Sequence, residues 1–120
     1  MVTYEFNRES RLLTPGQFQQ VFSNPSRFGS SHITILITPS NTDKCRLGLA
    51  IAKKRVKLAV QRNRIKRLIR ESFRLNQHKL PHIDMVVMVK SGTDQLDNKE
   101  ITRQLEKIWR KIVQRQKRSQ

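Results

Sequence analysis

The sequence predicts one small α+β domain, spanning residues 1–120, in which helices pack on a sheet. Three observations lead to this fold class. The chain length suits one modest hydrophobic core, two segments alternate apolar and polar residues as strands do, and two later segments hold apolar residues at helical spacing. The predicted order is helix, two strands, helix, strand, helix, with room for a short extra strand near Arg27 to Ser31.

The amino-terminal part predicts an extended arm and then a short helix. The arm, Met1 to Leu13, is polar with scattered apolar residues. The string Thr14-Pro15-Gly16-Gln17 supplies an N-cap, a proline in the first turn and a capping-box glutamine. Asn24-Pro25 ends the helical pattern. One face of this helix carries three apolar side chains: Phe18, Val21 and Phe22.

Two segments show the alternation of strands. His32 to Thr38 reads HITILIT, with isoleucines on one face. Cys45 to Lys53 places leucine and isoleucine on one side and small residues on the other, where another element can approach closely. Because a turn, Pro39 to Lys44, joins the two segments, we expect an antiparallel hairpin.

A helical period runs from about Ala59 to Gln77. Its apolar arc contains Ile65, Leu68, Ile69, Ser72 and Phe73. Its opposite arc contains Arg62, Asn63, Lys66, Arg67, Arg70 and Arg74, and Arg64 falls at the edge between the arcs. The next segment, Ile83 to Lys90, reads as a buried strand, and a crossover through the helix would place it parallel to Cys45 to Lys53.

The last element is predicted to be an amphipathic helix that ends near Gln114. Asp97 and Glu100 resemble a capping box at its start. Five apolar residues then keep helical spacing: Ile101, Leu105, Ile108, Trp109 and Ile112. The tail, residues 115–120, is too polar to pack, and we expect it to fray.

Positive charge is the dominant feature of the composition. The chain has 25 basic and 9 acidic residues, a formal charge of +16 and a pI near 11.3. Lys53 to Arg74 holds ten basic residues and one acid, and Lys99 to Gln120 holds eight and two. A solvated charged face normally interleaves acids with bases, so this distribution favours a polyanion partner. An anionic membrane or an acidic protein are the other partners that fit a basic amphipathic helix.

Composition also predicts a soluble protein of a reducing cytoplasm, without a membrane partner. The single cysteine, Cys45, has no internal disulfide partner, and no stretch resembles a signal peptide. The longest apolar run, Met85 to Val89, is far shorter than the roughly 20 residues that span a bilayer. Arg46 next to Cys45 could lower the pKa of the thiol, although a small strand residue is the commoner role.

The sequence lacks the convergent groups of a protein nuclease. Its nine acids are scattered, and helix capping explains the set Asp94, Asp97 and Glu100. His78 and His82 have the spacing of metal ligands, but a proline lies between them. We therefore expect no catalytic residues and no metal or cofactor bound by the protein itself.

Phe18 and Phe22 allow two interpretations. Helical spacing favours core packing, whereas exposed aromatic rings beside a basic surface can stack on unpaired bases. The sequence pattern alone leaves both open.

One string carries a family resemblance. Arg62 to Glu71, RNRIKRLIRE, preceded by Lys53-Lys54, closely resembles the RNR signature of the protein subunit of bacterial ribonuclease P. Leu13 to Phe22 resembles the first helix of that family, and Arg46 to Leu49 resembles its third strand. The resemblance implies an αβββαβα sandwich with a four-stranded sheet, like the second domain of ribosomal protein S5. It also implies a left-handed βαβ crossover, against the usual right-handed rule.

The resemblance further implies a protein cofactor of a ribozyme. A catalytic RNA that requires Mg²⁺ would remove the 5′ leader of precursor tRNA, with one protein per RNA, as the ribonuclease P holoenzyme. The matching residues for the catalytic RNA are Arg62, Asn63, Arg64, Lys66, Arg67 and Arg70. Those for the leader are Phe18, Phe22, Lys53 and Lys54. Where the family often has a leader-facing aromatic on the sheet, this chain has Thr34 and Leu36. The alternative is a structural RNA-binding protein of ribosome type, and a nuclease in its own right is disfavoured.

Overall fold

The computed structural model describes residues 11–12, 14–40, 42 and 44–118. The element order is αβββαβα, as the resemblance implied. The elements are α1 (Pro15–Ser23), β1 (Ser26–Gly29), β2 (Ile33–Pro39), β3 (Arg46–Ala50), α2 (Ala59–Asn76), β4 (Ile83–Val89) and α3 (Asn98–Arg118), with short 3-10 turns at Gln77–Lys79 and Thr93–Gln95. The thirteen-residue arm lies outside the described residues except for Arg11 and Leu12, which run beside Leu47.

The four strands form one mixed sheet in the order β1-β2-β4-β3. β2 is antiparallel to both β1 and β4, whereas β3 is parallel to β4. The predicted hairpin between β2 and β3 is therefore wrong, because β4 lies between them. Apart from Asp84, the residues of β4 are apolar toward both faces, and the strand is almost fully buried at the centre of the sheet. The crossover from β3 through α2 to β4 is confirmed, and its hand stays a prediction.

Helices cover both faces of the sheet. On one face, Ile33, Ile35 and Met85 join the apolar sides of α2 and α3 in the main core. On the other face, Leu36 and Val86 lie beneath α1 in a smaller cluster with Leu12 and Val21. The alternation predicted for β2 is present, but its second face is covered as well.

The capping residues predicted for α1 and α3 are in place. Thr14 Oγ1 accepts a hydrogen bond from Gln17 N at 3.2 Å, and Gln17 Oε1 accepts one from Thr14 N at 3.1 Å. Asp97 Oδ1 accepts a hydrogen bond from Glu100 N at 2.8 Å. These bonds satisfy amide groups that the first helical turn leaves without partners.

The small residues of β3 allow α1 to approach the sheet closely, as the pattern predicted. Gly48 lies directly under the ring of Phe18, and a Cβ atom added at Gly48 would be 2.6 Å from Phe18 Cε1. The same Cβ would be 3.0 Å from Leu12 Cδ1. This separation is shorter than carbon atoms tolerate, so α1 can sit at this distance only above a glycine.

A buried ion pair joins the two parallel strands. Arg46 on β3 lies opposite Asp84 on β4, and its guanidinium donates to both carboxylate oxygens, at 2.8 and 2.7 Å. The side chains are 12% and 4% exposed. Hydrogen bonding to Asp84 raises the pKa of Arg46. A bidentate pair of this kind has two parallel hydrogen bonds and a fixed geometry.

α2 and α3 pack against each other around one buried ring. Trp109 of α3 donates from Nε1 to Ser72 Oγ of α2 at 2.8 Å. Its indole meets the ring of Phe73 edge-on, with the centroids 6.3 Å apart. The hydrogen bond satisfies the indole N–H, which allows Trp109 to be almost fully buried.

The last helix is longer than predicted. α3 continues to Arg118, four residues beyond the boundary expected at Gln114. Its polar final turn contains Gln, Lys and Arg, which are good helix formers and need no burial to extend the helix. Arg115, expected to be unpacked, lies over the ring of Phe28 with its Cζ atom 5.4 Å from the centroid. Residues 119–120 of the predicted frayed tail lie outside the described residues.

We expect Gly48→Ala to destabilise the fold by about 1–3 kcal/mol, the usual cost of overpacking a core, because the new methyl group overlaps the Phe18 ring. Urea unfolding measures the decrease in stability. Gly16→Ala is the matched control: the nearest atom to its Cβ would be Thr14 Oγ1 at 3.9 Å, so its stability should be unchanged or higher by up to about 1 kcal/mol. Equal stabilities for the two variants would contradict the close approach of α1 to β3.

Candidate nucleic-acid interface

The solvent face of α2 presents a strip of polar and basic side chains. Asn63, Arg67 and Arg70 are exposed, Lys66 is half-buried, and none of the four has a hydrogen bond or ion pair within the described part of the chain. Residues four apart on a helix are about 6 Å apart along its axis, which is close to the spacing of phosphates along a strand. With Glu71 and Arg74, three of these residues line an open, shallow depression.

Arg62 has a structural role in addition to its charge. Its Nη1 atom donates to the carbonyl oxygens of Val56 at 3.0 Å and Lys57 at 2.8 Å. Val56 is fully buried below this loop. Arg62 thus closes the segment that leads from β3 into α2.

Arg64 connects α2 to the start of α3. Its guanidinium donates to Asn98 Oδ1 at 2.7 Å and to the carbonyl oxygens of Asp94 and Leu96 at 3.3 and 3.1 Å. It also donates to Gln61 on its own helix at 2.9 Å. Sequence reasoning grouped Arg62 and Arg64 with the phosphate-facing residues and missed these roles. The position of Arg64 at the edge of the charged arc was the one available signal.

The only acid of α2, Glu71, pairs with an arginine on the same helix. Glu71 accepts hydrogen bonds from the guanidinium of Arg74, three residues along the helix, and these lower the pKa of the Glu71 carboxyl. Glu71 therefore does not neutralise Arg67 or Arg70. The charge of the α2 strip is left for an external anion.

On the opposite side of the sheet a row of residues lies beside α1, and we call the surface that this row forms with α1 the cleft. The strand register places Thr34, Met88 and Ala50 in one row across the sheet, and all three are half-buried. Phe18 packs against this part of the sheet, and Phe22, one turn later on α1, is 41% exposed. The cleft thus has a mixed apolar and hydroxyl floor and an aromatic wall.

Basic residues lie just after β3 and just after β4, and both groups are at one end of the cleft. Lys53 and Lys54 are exposed in the turn after β3, where Ala52 O accepts the amides of the next two residues, Arg55 and Val56. Lys90 follows β4, is exposed and donates to Ser30 O at 3.4 Å. The sequence analysis placed Lys90 at the end of a strand and gave it no binding role, although a lysine at the end of a buried strand indicates a charge at the edge of the sheet.

The matching strand offers no aromatic to this cleft. Leu36 is buried beneath α1 with Val21, and Thr34 is half-buried in the floor. A ligand here would meet Phe22, the partly buried Phe18 and the hydroxyl of Thr34. The structure thus brings the two phenylalanines and the end of β3 to one face of the sheet, and α2 and α3 to the other.

Three further groups, Cys45, Arg46 and Glu100, are buried or engaged within the protein. Burial raises the pKa of the Cys45 thiol to about 12, so the suggested lowering by Arg46 is wrong. That guanidinium is bound to Asp84. Hydrogen bonds from Arg103 and Gln104 lower the pKa of Glu100 to about 2. Within the described ranges, no three His, Cys, Asp or Glu side chains lie close enough to hold a metal ion.

Comparisons with known proteins identify the family of this chain. The sequence model of the Ribonuclease P family matches residues 6–113. The chain belongs to the ribonuclease P protein family. The ribonuclease P protein component of Pseudoalteromonas translucida (strain TAC 125) is 54% identical over 115 residues, which cover 96% of this chain and 82% of that protein. The chain is accordingly a protein component of ribonuclease P, with the ribonuclease P RNA and precursor tRNA as partners in tRNA 5′ maturation.

Solved structures share the fold of this ribonuclease P protein. A Staphylococcus aureus RNase P protein mutant with defective mRNA degradation activity superposes with a TM-score of 0.80 at 24% identity, covering 86% of this chain and 87% of that one. The RNase P protein of Thermotoga maritima gives 0.75 at 25% identity, covering 85% and 96%. Across the described residues, no helix is both long and apolar enough to cross a membrane.

Arg64→Ala should lower the free energy of unfolding by about 1–3 kcal/mol, because charged hydrogen bonds of this kind contribute about that much and the α3 start loses its link to α2. Arg67→Ala is the control. Its side chain is exposed and makes no such bonds, so stability should stay within about 0.5 kcal/mol of the parent protein. Thermal unfolding without RNA measures both. Similar decreases for the two variants would contradict the structural role of Arg64.

Proposed function

We propose that this ribonuclease P protein binds the catalytic RNA through the outer face of α2 and the precursor leader through the cleft beside α1. The observation that carries the proposal is the α2 strip of Asn63, Lys66, Arg67 and Arg70, whose side chains have no partner among the described residues. Arg62 and Arg64 shape this strip and add positive charge to it.

Electrostatics supports RNA as the partner of α2. Two adjacent exposed arginines and a lysine on one helix repel each other in the free protein, and a phosphate backbone relieves that repulsion. Each phosphate that is neutralised releases condensed counterions from the RNA, so affinity gains entropy and depends strongly on salt. Guanidinium groups add bidentate pairing with phosphate.

The cleft has the chemistry of a site for single-stranded RNA. Phe22 exposes a ring for base stacking, and Phe18 offers the edge of a ring that also packs on Gly48. At the end of β3, Lys53 and Lys54 supply positive charge that can bind the phosphate backbone of the RNA. Stacking is tolerant of sequence because every base has a π-face, which suits leaders of varied sequence.

We assign the hydrolysis to the RNA subunit, with the Mg²⁺ that this RNA requires. Three acids of the protein each pair with an arginine: Asp84 with Arg46, Glu71 with Arg74 and Glu100 with Arg103. These three pairs support the assignment, because each carboxylate already has a cationic partner. We further propose that one copy of the protein binds each catalytic RNA and that the complex acts in the cytoplasm. A structural RNA-binding role without cleavage is the alternative, and cleavage assays separate the two.

Arg67→Gln with Arg70→Gln should weaken binding to the ribonuclease P RNA about tenfold or more at 0.1 M salt, because two cationic groups that pair with phosphates are removed. Filter binding across a salt series measures the change. Arg67→Lys with Arg70→Lys keeps both charges and should retain most of the affinity. Wild-type affinity in the glutamine variant would refute α2 as the docking face.

Phe22→Ala should reduce the preference of the holoenzyme for precursor tRNA over leaderless tRNA by about fivefold to a hundredfold, the effect of removing one base stack of about 1–3 kcal/mol. Competition binding with the two tRNAs measures this ratio. Leu75→Ala is the control, because Leu75 is also an exposed apolar residue, at 47%, but lies on α2. A parent holoenzyme that binds both tRNAs equally would exclude the leader role. Parent-level cleavage without the protein would favour the structural alternative.

A further inference from the structure

The second concentration of positive charge in the chain lies on α3, and the proposed function does not use it. Five basic residues are exposed on the solvent side of this helix; we call them the α3 stripe: Lys99, Arg103, Lys107, Arg110 and Lys111. The buried side of α3 is apolar and packs into the main core. The stripe is therefore held in place by a rigid helix.

Most of this charge is not neutralised by the protein. Arg103 is paired with Glu100, and Lys111 donates from Nζ to Gly29 O at 3.1 Å. Over the described residues, Lys99, Lys107 and Arg110 have neither a hydrogen bond nor an ion pair. The other acid of α3, Glu106, lies on the rim of the groove toward α2 and is exposed.

The α3 stripe lies on the same side of the molecule as the α2 strip. α2 and α3 run side by side with their amino ends together, since Arg64 reaches Asn98 near both starts and Ser72 meets Trp109 further along. Packed helices have axes about 8–10 Å apart, so both faces lie within the reach of one RNA helix. The cleft beside α1 lies across the sheet from both.

We propose that the α3 stripe binds the phosphate backbone of the same catalytic RNA that docks on α2. This inference rests on the α2 docking proposed above. The free charge of Lys99, Lys107 and Arg110 fits a polyanion, and the shared helical layer places the α3 stripe beside the α2 strip. The tRNA leader is a poorer fit for this side, because its cleft opens on the opposite face of the sheet.

The α3 stripe should contact the RNA backbone at a different place from the α2 strip, so the two sets of residues do not form one uniform basic surface. Glu71 lines the same depression as Arg67 and Arg70, whereas Glu106 lines the groove between the end of α2 and α3, where its carboxylate disfavours a phosphate. A backbone that crosses the pair of helices would meet the α2 strip first and then Lys107 and Arg110, with Glu106 at the rim of the groove beside Arg110.

Lys107→Gln with Arg110→Gln tests the proposal in the full-length protein with the ribonuclease P RNA alone. We expect binding about tenfold weaker at 0.1 M salt and a smaller salt dependence, by roughly 0.7–0.9 in the log–log slope for each phosphate that is no longer neutralised. Lys107→Arg with Arg110→Lys keeps both charges and should bind as the parent does. Circular dichroism and thermal unfolding of each variant check that the fold is retained.

Two further arms separate this inference from the α2 proposal. If Arg67→Gln with Arg70→Gln weakens RNA binding while the α3 variant binds as the parent does, only the α3 inference fails. If the α2 variant binds as the parent does, the α2 docking proposal fails, and the α3 inference that rests on it fails too. If the α3 variant assembles normally but the holoenzyme loses affinity for leaderless tRNA, the partner of the stripe is tRNA, and the assignment to the catalytic RNA is overturned.

Discussion

The burial of β4 at the centre of the sheet is the constraint on which the rest of the structure depends. Apart from Asp84, its residues are apolar toward both faces, so the sheet needs cover on both sides. α1 supplies one cover and α2 with α3 supplies the other. This requirement gives the molecule two separate working faces, and a ligand on one does not compete for space with a ligand on the other.

Charge imposes a second constraint, because the fold must tolerate a large excess of positive residues. Four of the described acids each act on a neighbouring group. Asp84, Glu71 and Glu100 each bind a neighbouring arginine, and Asp97 caps a helix. The unpaired basic residues are then kept on the solvent sides of two helices, whose inner sides are strongly apolar. Core packing thus fixes the positions of these charges on the surface. The folded protein itself does not neutralise them.

Local periodicity predicted α2 with its two arcs, the capping of α1 and the close approach at Gly48, because each depends on residues near in sequence. The hairpin between β2 and β3 was wrong, since strand pairing depends on which segment gains most from the centre of the sheet. The main-chain hydrogen bonds of Arg62 and Arg64 were also out of reach. They depend on loops up to 34 residues away that fold back onto α2. The family resemblance, not the periodicity, indicated the full element order and the RNA partners.

Trp109 gives the molecule a built-in optical reporter. It is the only tryptophan in the chain and is shielded from water between α2 and α3. Indole emission moves to longer wavelength when the ring meets water, so the intrinsic fluorescence of this protein reports on one place, the seam between its two basic helices. RNA has no comparable emission. A ligand that shifts one helix against the other will therefore change the spectrum, whereas one that docks on a rigid pair will leave the emission maximum in place.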